Sequence, residues 1–270
     1  ARLGSRTLLI TIDMEKIASM SCNPAVGGVA KGQIVREIDA LGGQMARITD
    51  QSAIQFRMLN RSKGAAMWSP RAQCDKSEFS RLWRRTLENT RNLYLWQDSV
   101  TEILLDHTGE KVAVRGVKTR MGVEIECRRV VLTAGTFLGG LMHCGTNSAE
   151  GGRAGDEASH GITEQLVSLG FESGRMKTGT PARLDARTIN FDALEVQEGD
   201  IEPSKFSYDT DTQVVKHQLP CFMVYTSKAV HDILREGFDR SPLFNGTISG
   251  IGPRYCPSIE DKLRTFADKE

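Results

Sequence analysis

The change of period at Leu93 limits what this sequence can fold into more than any other feature. From there the segments LYLWQDSV, TEILLD, VAVRGVKTR and VEIECRRVVLTAG alternate apolar and polar residues, with turn signals at His107-Thr108-Gly109 and Met121-Gly122. Alternation of period two broken by short turns describes an antiparallel meander. Its last apolar run, Val130 to Leu132, has no polar face, which is the pattern of a strand buried inside a parallel sheet. A meander that leads back into such a strand is how an insertion sits in an α/β domain.

Upstream, Thr7 to Ile12 (TLLITI) is a β-branched apolar run suited to a buried parallel strand, and Ala1 to Gly4 reads as a helix tail closed by a glycine. A Rossmann unit needs an earlier strand and a G-x-G-x-x-G turn about 20 residues before its second strand. Neither precedes Thr7, so the expectation is a Rossmann-like domain met part-way through. The spacing predicts one helix over residues 33–41 (QIVREIDAL), closed by Gly42 and Gly43. It predicts a second over 78–89 (EFSRLWRRTLEN), with Phe79, Leu82, Trp83 and Leu87 on one face. After the turn GGRAGD come a helix near Ile162 to Leu169 and a basic, loop-rich stretch, GRMKTGTPARLDART. A strand (CFMVYT) and a helix (KAVHDILREGF) follow. The expected class is therefore α/β: an incomplete Rossmann-like fold over 1–95 and 130–170, an inserted antiparallel β-meander over 96–129, and a second inserted α/β domain over 171–270.

With 39% hydrophobic and 26% charged residues and a formal net charge of +1, the 270 residues carry no signature of disorder. No charged segment precedes an apolar stretch at the start, and no apolar run approaches the ~20 residues a bilayer crossing needs. The reading is a cytoplasmic protein without a membrane partner. The six cysteines form no C-x-x-C pair and the five histidines no H-x-x-x-H pair, which argues for reduced thiols and against a metal site.

Two thiols stand out. Ser258 and Asp261 form an S-x-x-D capping pair ahead of a run containing Ile259, Leu263 and Phe266, so a helix is predicted to begin at Ser258. Cys256 then precedes the unpaired N–H groups of a helix start and sits beside Arg254, a setting that stabilises a thiolate. The same spacing also fits a buried cysteine that closes a turn. Cys22 lies in MSCNPAVGGVAKG, residues 20–32, where Asn23-Pro24 favours a turn and Gly27, Gly28 and Gly32 permit close backbone approach. Such a loop, with a helix aimed back at it, suits a flavin or a phosphate, and equally a plain connection. Asp261 has the position of a general base, but capping is the stronger assignment.

Charge is uneven along the chain. Between Arg57 and Arg91 stand nine Lys or Arg residues (57, 61, 63, 71, 76, 81, 84, 85 and 91) against three acids (75, 78 and 88). A stripe facing nucleic-acid phosphate and a solvated helix face both account for Arg81, Arg84 and Arg85. Arg175, Lys177, Arg183 and Arg187 make a second basic cluster, for which flavin phosphate and RNA are equally good partners.

Long blocks of the sequence resemble the MnmG family, also called GidA: MSCNPAVGGVAKGQIVREIDALGGQMARITDQSAIQFRMLN, SKGAAMWSPRAQCDK, VVLTAGTFLGG, GGRAGDEAS, GRMKTGTPARLDARTI and GIGPRYCPSIEDK. The resemblance runs from end to end, although family members begin with a G-x-G-x-x-G turn and end in a helical domain. It implies a flavoprotein subunit that, with FAD and NADH, places a carboxymethylaminomethyl or aminomethyl group on carbon 5 of the wobble uridine of certain tRNAs. The carbon would come from methylenetetrahydrofolate and the amine from glycine or ammonium. It further implies a homodimer acting with the GTPase MnmE in a two-plus-two heterotetramer in the cytoplasm.

Carried over residue by residue, the resemblance places FAD contacts at Val100, following the first meander strand, and at Ser159. The superfamily's strand-end turn falls on Thr133, Ala134, Gly135 and Thr136. The NAD segment falls on Gly252, Pro253, Arg254, Tyr255, Cys256, Pro257, Ser258, Ile259, Glu260, Asp261, Lys262, Leu263, Arg264, Thr265 and Phe266. It thereby offers one helix start both a dinucleotide and a nucleophile. Cys256 is the expected attacking thiol and Cys22 its assistant. Two other classes share parts of this pattern. A folate- and FAD-dependent tRNA uridine methyltransferase of the TrmFO kind uses the same two-cysteine logic. A flavin disulfide reductase also pairs thiols, but normally close together in sequence. Without the first strand and its turn, this chain by itself is expected to be colourless and inactive.

Overall fold

The computed structural model describes residues 1–250, 252 and 257–267. In chain order its elements are β1 (Thr7–Thr11), β2 (Ala25–Gly27), α1 (Lys31–Ala40), α2 (Met45–Ser52), β3 (Ala53–Leu59), β4 (Ser69–Cys74), α3 (Lys76–Glu88), β5 (Leu93–Gln97), β6 (Val100–Asp106), β7 (Ala113–Thr119) and β8 (Glu124–Glu126). There follow β9 (Leu141–Cys144), β10 (Asn147–Glu150), α4 (Ile162–Ser168), β11 (Glu195–Gln197), β12 (Cys221–Met223), α5 (Lys228–Arg235) and α6 (Ile259–Thr265). The chain divides into two units, one of residues 1–14, 90–178 and 233–254, the other of 15–89, 179–232 and 255–270. Among the described residues no helix is long and apolar enough to cross a membrane.

The unit containing residues 15–89 is built on an antiparallel sheet of order β2-β4-β3. Alternation sends Phe56, Ala72 and Cys74 to one face, where they pack with Val26, Val35, Ala46, Ile48, Phe79 and Phe206 into a buried cluster. Phe56 and Phe206 meet edge to face with ring centroids 6.0 Å apart. Helix α3 starts where predicted to within two residues, because the Asp75 carboxylate accepts the N–H groups of Ser77 and Glu78. Helix α1 likewise covers the expected stretch. Helix α2 was not predicted: its eight residues are too few to hold a helix alone, and burial of Ala46 and Ile48 holds it in place.

Residues 195–221 cover the free edge of β3. Leu219 N–H donates to Ile54 O and Asp200 N–H to Phe56 O, while Gln218 Oε1 accepts from Phe56 N and Asp200 Oδ2 from Met58 N. An edge strand is thus satisfied without a further strand. The next segment is anchored by acids: Asp50 accepts the N–H groups of Phe206 and Ser207 at 2.7 and 2.9 Å, and Asp39 accepts Ser207 Oγ and Tyr208 N. Burial pushes the Asp50 carboxyl above its ordinary value, against the lowering effect of those bonds.

In the other unit the sequence reading needs two corrections. LYLWQ does not open the meander: β5 pairs parallel with β1, in register from Thr7 with Leu93 to Thr11 with Gln97. The chain turns at Asp98 and Ser99, where Asp98 N–H donates to Thr11 O, and the antiparallel meander is β6-β7-β8 alone. The second correction concerns Val130 to Leu132, which form no strand; Val131 is 83% exposed. A strand needs a neighbour for its backbone groups, and among the described residues none lies alongside. Strand β1 was expected to be buried, yet Leu8 is exposed, as are Tyr94 and Trp96 on β5. Helix α4 forms as predicted and docks on β6 through Gln165, which exchanges bonds of 2.8 and 2.7 Å with the N–H and C=O of Ile103.

Candidate functional site

The thiol loop of residues 20–32 is held from several sides. Cys22 is half-buried, and the Arg183 guanidinium donates to its carbonyl oxygen at 2.6 Å. Pro24 O accepts from Cys74 N at 2.7 Å as the loop enters β2. Gly27 has φ +86°, and a Cβ there would lie 2.2 Å from Pro70 O and 2.6 Å from Phe206 Cζ, so no other residue fits without displacing backbone. Gly28, at φ +90°, donates to the same Pro70 oxygen at 2.8 Å. Helix α1 then begins at Lys31, two residues earlier than predicted, behind Ala30 at φ +63° and with no side-chain cap. The sequence supplied the glycines. It marked Arg183 as part of a basic cluster but not that this residue, 161 positions away in the chain, meets Cys22.

The second thiol, Cys256, lies outside the described residues together with Pro253, Arg254 and Tyr255. Of the remaining NAD-segment residues, Ser258 caps α6 as predicted: its Oγ accepts from Asp261 N at 3.2 Å. The Asp261 carboxylate accepts from Ser258 Oγ at 3.3 Å, which joins the capping pair side chain to side chain, and it also pairs with Arg264 at 3.2 Å. Glu260 and Asp261 put two negative charges in the first turn, where they oppose a bound anion. Leu263 is buried, while Ile259 and Phe266 are exposed. Pro257, Lys262 and Thr265 flank these positions, and Gly252, in the other unit, lies against Lys177, whose Cε would be 3.3 Å from an added Cβ.

The residues assigned to FAD do come together. Ser159 Oγ is 3.5 Å from Val100 O and 3.4 Å from Ser99 Oγ, and both serines are buried. Ser159 N donates to Phe137 O, and Gly139 N to Ser159 O, each at 2.8 Å. The turn Thr133, Ala134, Gly135 and Thr136 is closed by Phe137 N donating to Ala134 O, and Thr136 Oγ1 donates to Gly152 O at 2.6 Å. Val100 opens β6 rather than following a first meander strand. The result is a neutral cluster of hydroxyl and main-chain groups whose donors are met within the protein and whose hydroxyl oxygens keep acceptor capacity, as for a ribose hydroxyl.

The basic clusters separate once partners are assigned. Arg81 pairs with Glu78, Arg84 with Glu88 and Glu15, Arg61 with Asp200, and Arg187 with Asp185. Arg175 donates to Gly139 O at 2.7 Å. Among the described residues, Arg57 and Arg71 have no such partner.

Comparison with known proteins gives a consistent result. The family model described as "Glucose inhibited division protein A" matches residues 1–270. The chain is 57% identical over 270 residues to the tRNA uridine 5-carboxymethylaminomethyl modification enzyme MnmG of Flavobacterium johnsoniae, and 60% identical to that of Porphyromonas gingivalis. All of the chain and 43% of each relative are covered. Its structure is similar to Aquifex aeolicus GidA in the form I crystal, with a TM-score of 0.90 at 46% identity, over all of this chain and 45% of that one. The chain spans less than half the length of these relatives.

Proposed function

Because the chain belongs to the glucose inhibited division protein A family along residues 1–270, we propose that it provides part of the active centre of an enzyme that modifies carbon 5 of the tRNA wobble uridine. The observation that carries this reading beyond family membership is the built thiol loop, in which Arg183 fixes the Cys22 carbonyl and two glycines keep the backbone open. Carbon 5 of uracil is a poor nucleophile. A thiolate adding to carbon 6 makes carbon 5 an enolate carbon able to attack a one-carbon electrophile. Cys256 is the attacking thiol in this reading, and Cys22, on its anchored loop, assists as acid, base or second nucleophile.

FAD, recharged by NADH, would supply the hydride for the carbon that methylenetetrahydrofolate delivers. Val100, Ser159 and the turn Thr133 to Thr136 would hold the flavin dinucleotide through hydroxyl and main-chain groups. NADH would associate with Gly252 to Phe266, an assignment that rests on the resemblance, since the α6 start caps itself. Under the same reading residues 1–95 and 130–170 serve FAD, 96–129 are an insertion and 171–270 carry the NAD-associated part. The whole enzyme would be a cytoplasmic homodimer partnered by the GTPase MnmE. Family membership favours this over uridine methylation of the TrmFO kind.

The test places the segment in a full-length family member and measures modified wobble uridine by mass spectrometry of digested tRNA. Cys256→Ser and Cys22→Ser should each abolish the product while leaving tRNA binding in place. Full modification by Cys256→Ser would rule out the assigned nucleophile.

A further inference from the structure

Strands β3 and β4 run antiparallel with Arg57 directly opposite Arg71. Residues in register on such a pair share a face, with Cβ atoms roughly 5 Å apart, and like charges so placed repel. The opposite face is the apolar one, carrying Phe56 and Ala72 into the core, so neither arginine can turn inward. Both side chains are half-buried, and neither guanidinium has a hydrogen bond or ion pair to another described residue. The acids nearest in sequence are already engaged. Asp75 caps α3, Glu78 holds Arg81, and Glu88 holds Arg84. Asp200, which reaches the β3 edge, is shared by Met58 N–H and Arg61.

The surroundings also favour close approach by a ligand. Gly27 pairs with Arg71 across β2 and β4, and Arg71 Cδ would lie 4.0 Å from a Cβ at Gly28. The Arg71 stem thus runs along bare glycine backbone on the loop that carries Cys22. Two guanidinium forks on one face, without a counter-ion among the described residues, match the oxygens of a single phosphate or diphosphate group.

We infer that Arg57 and Arg71 form an oxyanion site that takes a phosphate group, bridged between the two guanidinium forks. The phosphate chemistry is common to an RNA backbone and a dinucleotide, and competition by each separates them. The site does not depend on the reaction proposed above, since the probe reads the charge pair directly.

The test titrates inorganic pyrophosphate into the 270-residue chain at low ionic strength, followed by calorimetry. Arg57→Gln and Arg71→Gln should each weaken binding about tenfold or more, and Arg71→Lys by less. Lys111→Gln, an exposed residue between β6 and β7, should leave binding unchanged. Because removal of one arginine relieves repulsion, Arg71→Gln should melt no lower than the parent, a result that a structural role for Arg71 would not give. Displacement of pyrophosphate by a tRNA transcript assigns the site to RNA, and displacement by FAD assigns it to the dinucleotide. Unchanged affinity in both glutamine variants, a lower melting temperature for Arg71→Gln, or displacement by neither competitor overturns the inference.

Discussion

The apolar strands of the two units read alike in sequence, but they meet different fates. In the unit of residues 15–89, β3 and β4 lie between helices on one side and a cross-chain strap on their edge, and Phe56 is 2% exposed. In the unit of residues 90–178, Val131 and Leu132 of the equally apolar run lie in the open, and the parallel pair β1 and β5 exposes Leu8, Tyr94 and Trp96. Apolar composition states a preference for burial. Whether the preference is met depends on a neighbour that supplies both hydrogen bonds and a surface.

The comparison is open to measurement. The largest effect should come from Phe56→Ala, which removes a fully buried ring and its edge-to-face partner: about 3–5 kcal/mol by urea unfolding. A loss below 1 kcal/mol would show that this core is no better packed than the exposed strands. Next, Asp50→Asn leaves one of two buried N–H groups short of an acceptor, at a cost of roughly 1–3 kcal/mol. Asp50 has a folded pKa raised above its ordinary 3.8 by burial. Its contribution is therefore complete below that value and is lost as pH rises through the raised one. The stability gap between parent and Asp50→Asn should narrow as the pH is brought up from the acid side, and a widening gap would refute the assignment.

Cys74 gives a third test at the other end of the pH scale. Burial pushes its thiol up to about 11 from 9.0, so the unfolded chain ionises first. Stability should be unaffected well below pH 9.0 and fall by no more than about 3 kcal/mol in all as pH rises through the folded value. Cys74→Ala should remove that alkaline limb; if the limb survives, another group is responsible. The smallest effect belongs to the exposed strand: Val131→Ser should change stability by less than about 0.5 kcal/mol. A cost above 1 kcal/mol in this chain would mean that Val131 has a neighbour after all, and the contrast between the units would fail.

Much of the local structure was legible because local chemistry specifies it. Asp75 before α3, Ser258 before α6 and the Gly122 turn are side-chain or backbone devices acting within four residues of one another. The assignment of LYLWQ to the meander failed because period two marks a strand without marking its partner. Nothing in those five residues distinguishes pairing with β6 from pairing with β1. The candidate site divides in the same way. The glycines of the Cys22 loop and the neighbourhood of Val100 and Ser159 followed from motif and resemblance, whereas Arg183 at Cys22 required the fold.

What the amino-acid order determined alone was where helices begin, where the chain turns, which residues are too apolar to favour water, and which family it belongs to. Only the tertiary structure decided that Arg57 stands opposite Arg71, that Asp50 and Gln218 fasten a distant strap to the core, and that Val131 is left exposed. The reason is range: caps and turns are settled by bonds between near neighbours in the chain. Register and burial are settled by groups farther apart in the chain, from Arg57 and Arg71 on neighbouring strands to Asp50 and Phe206, 156 positions apart, whose meeting depends on many other contacts being made at once.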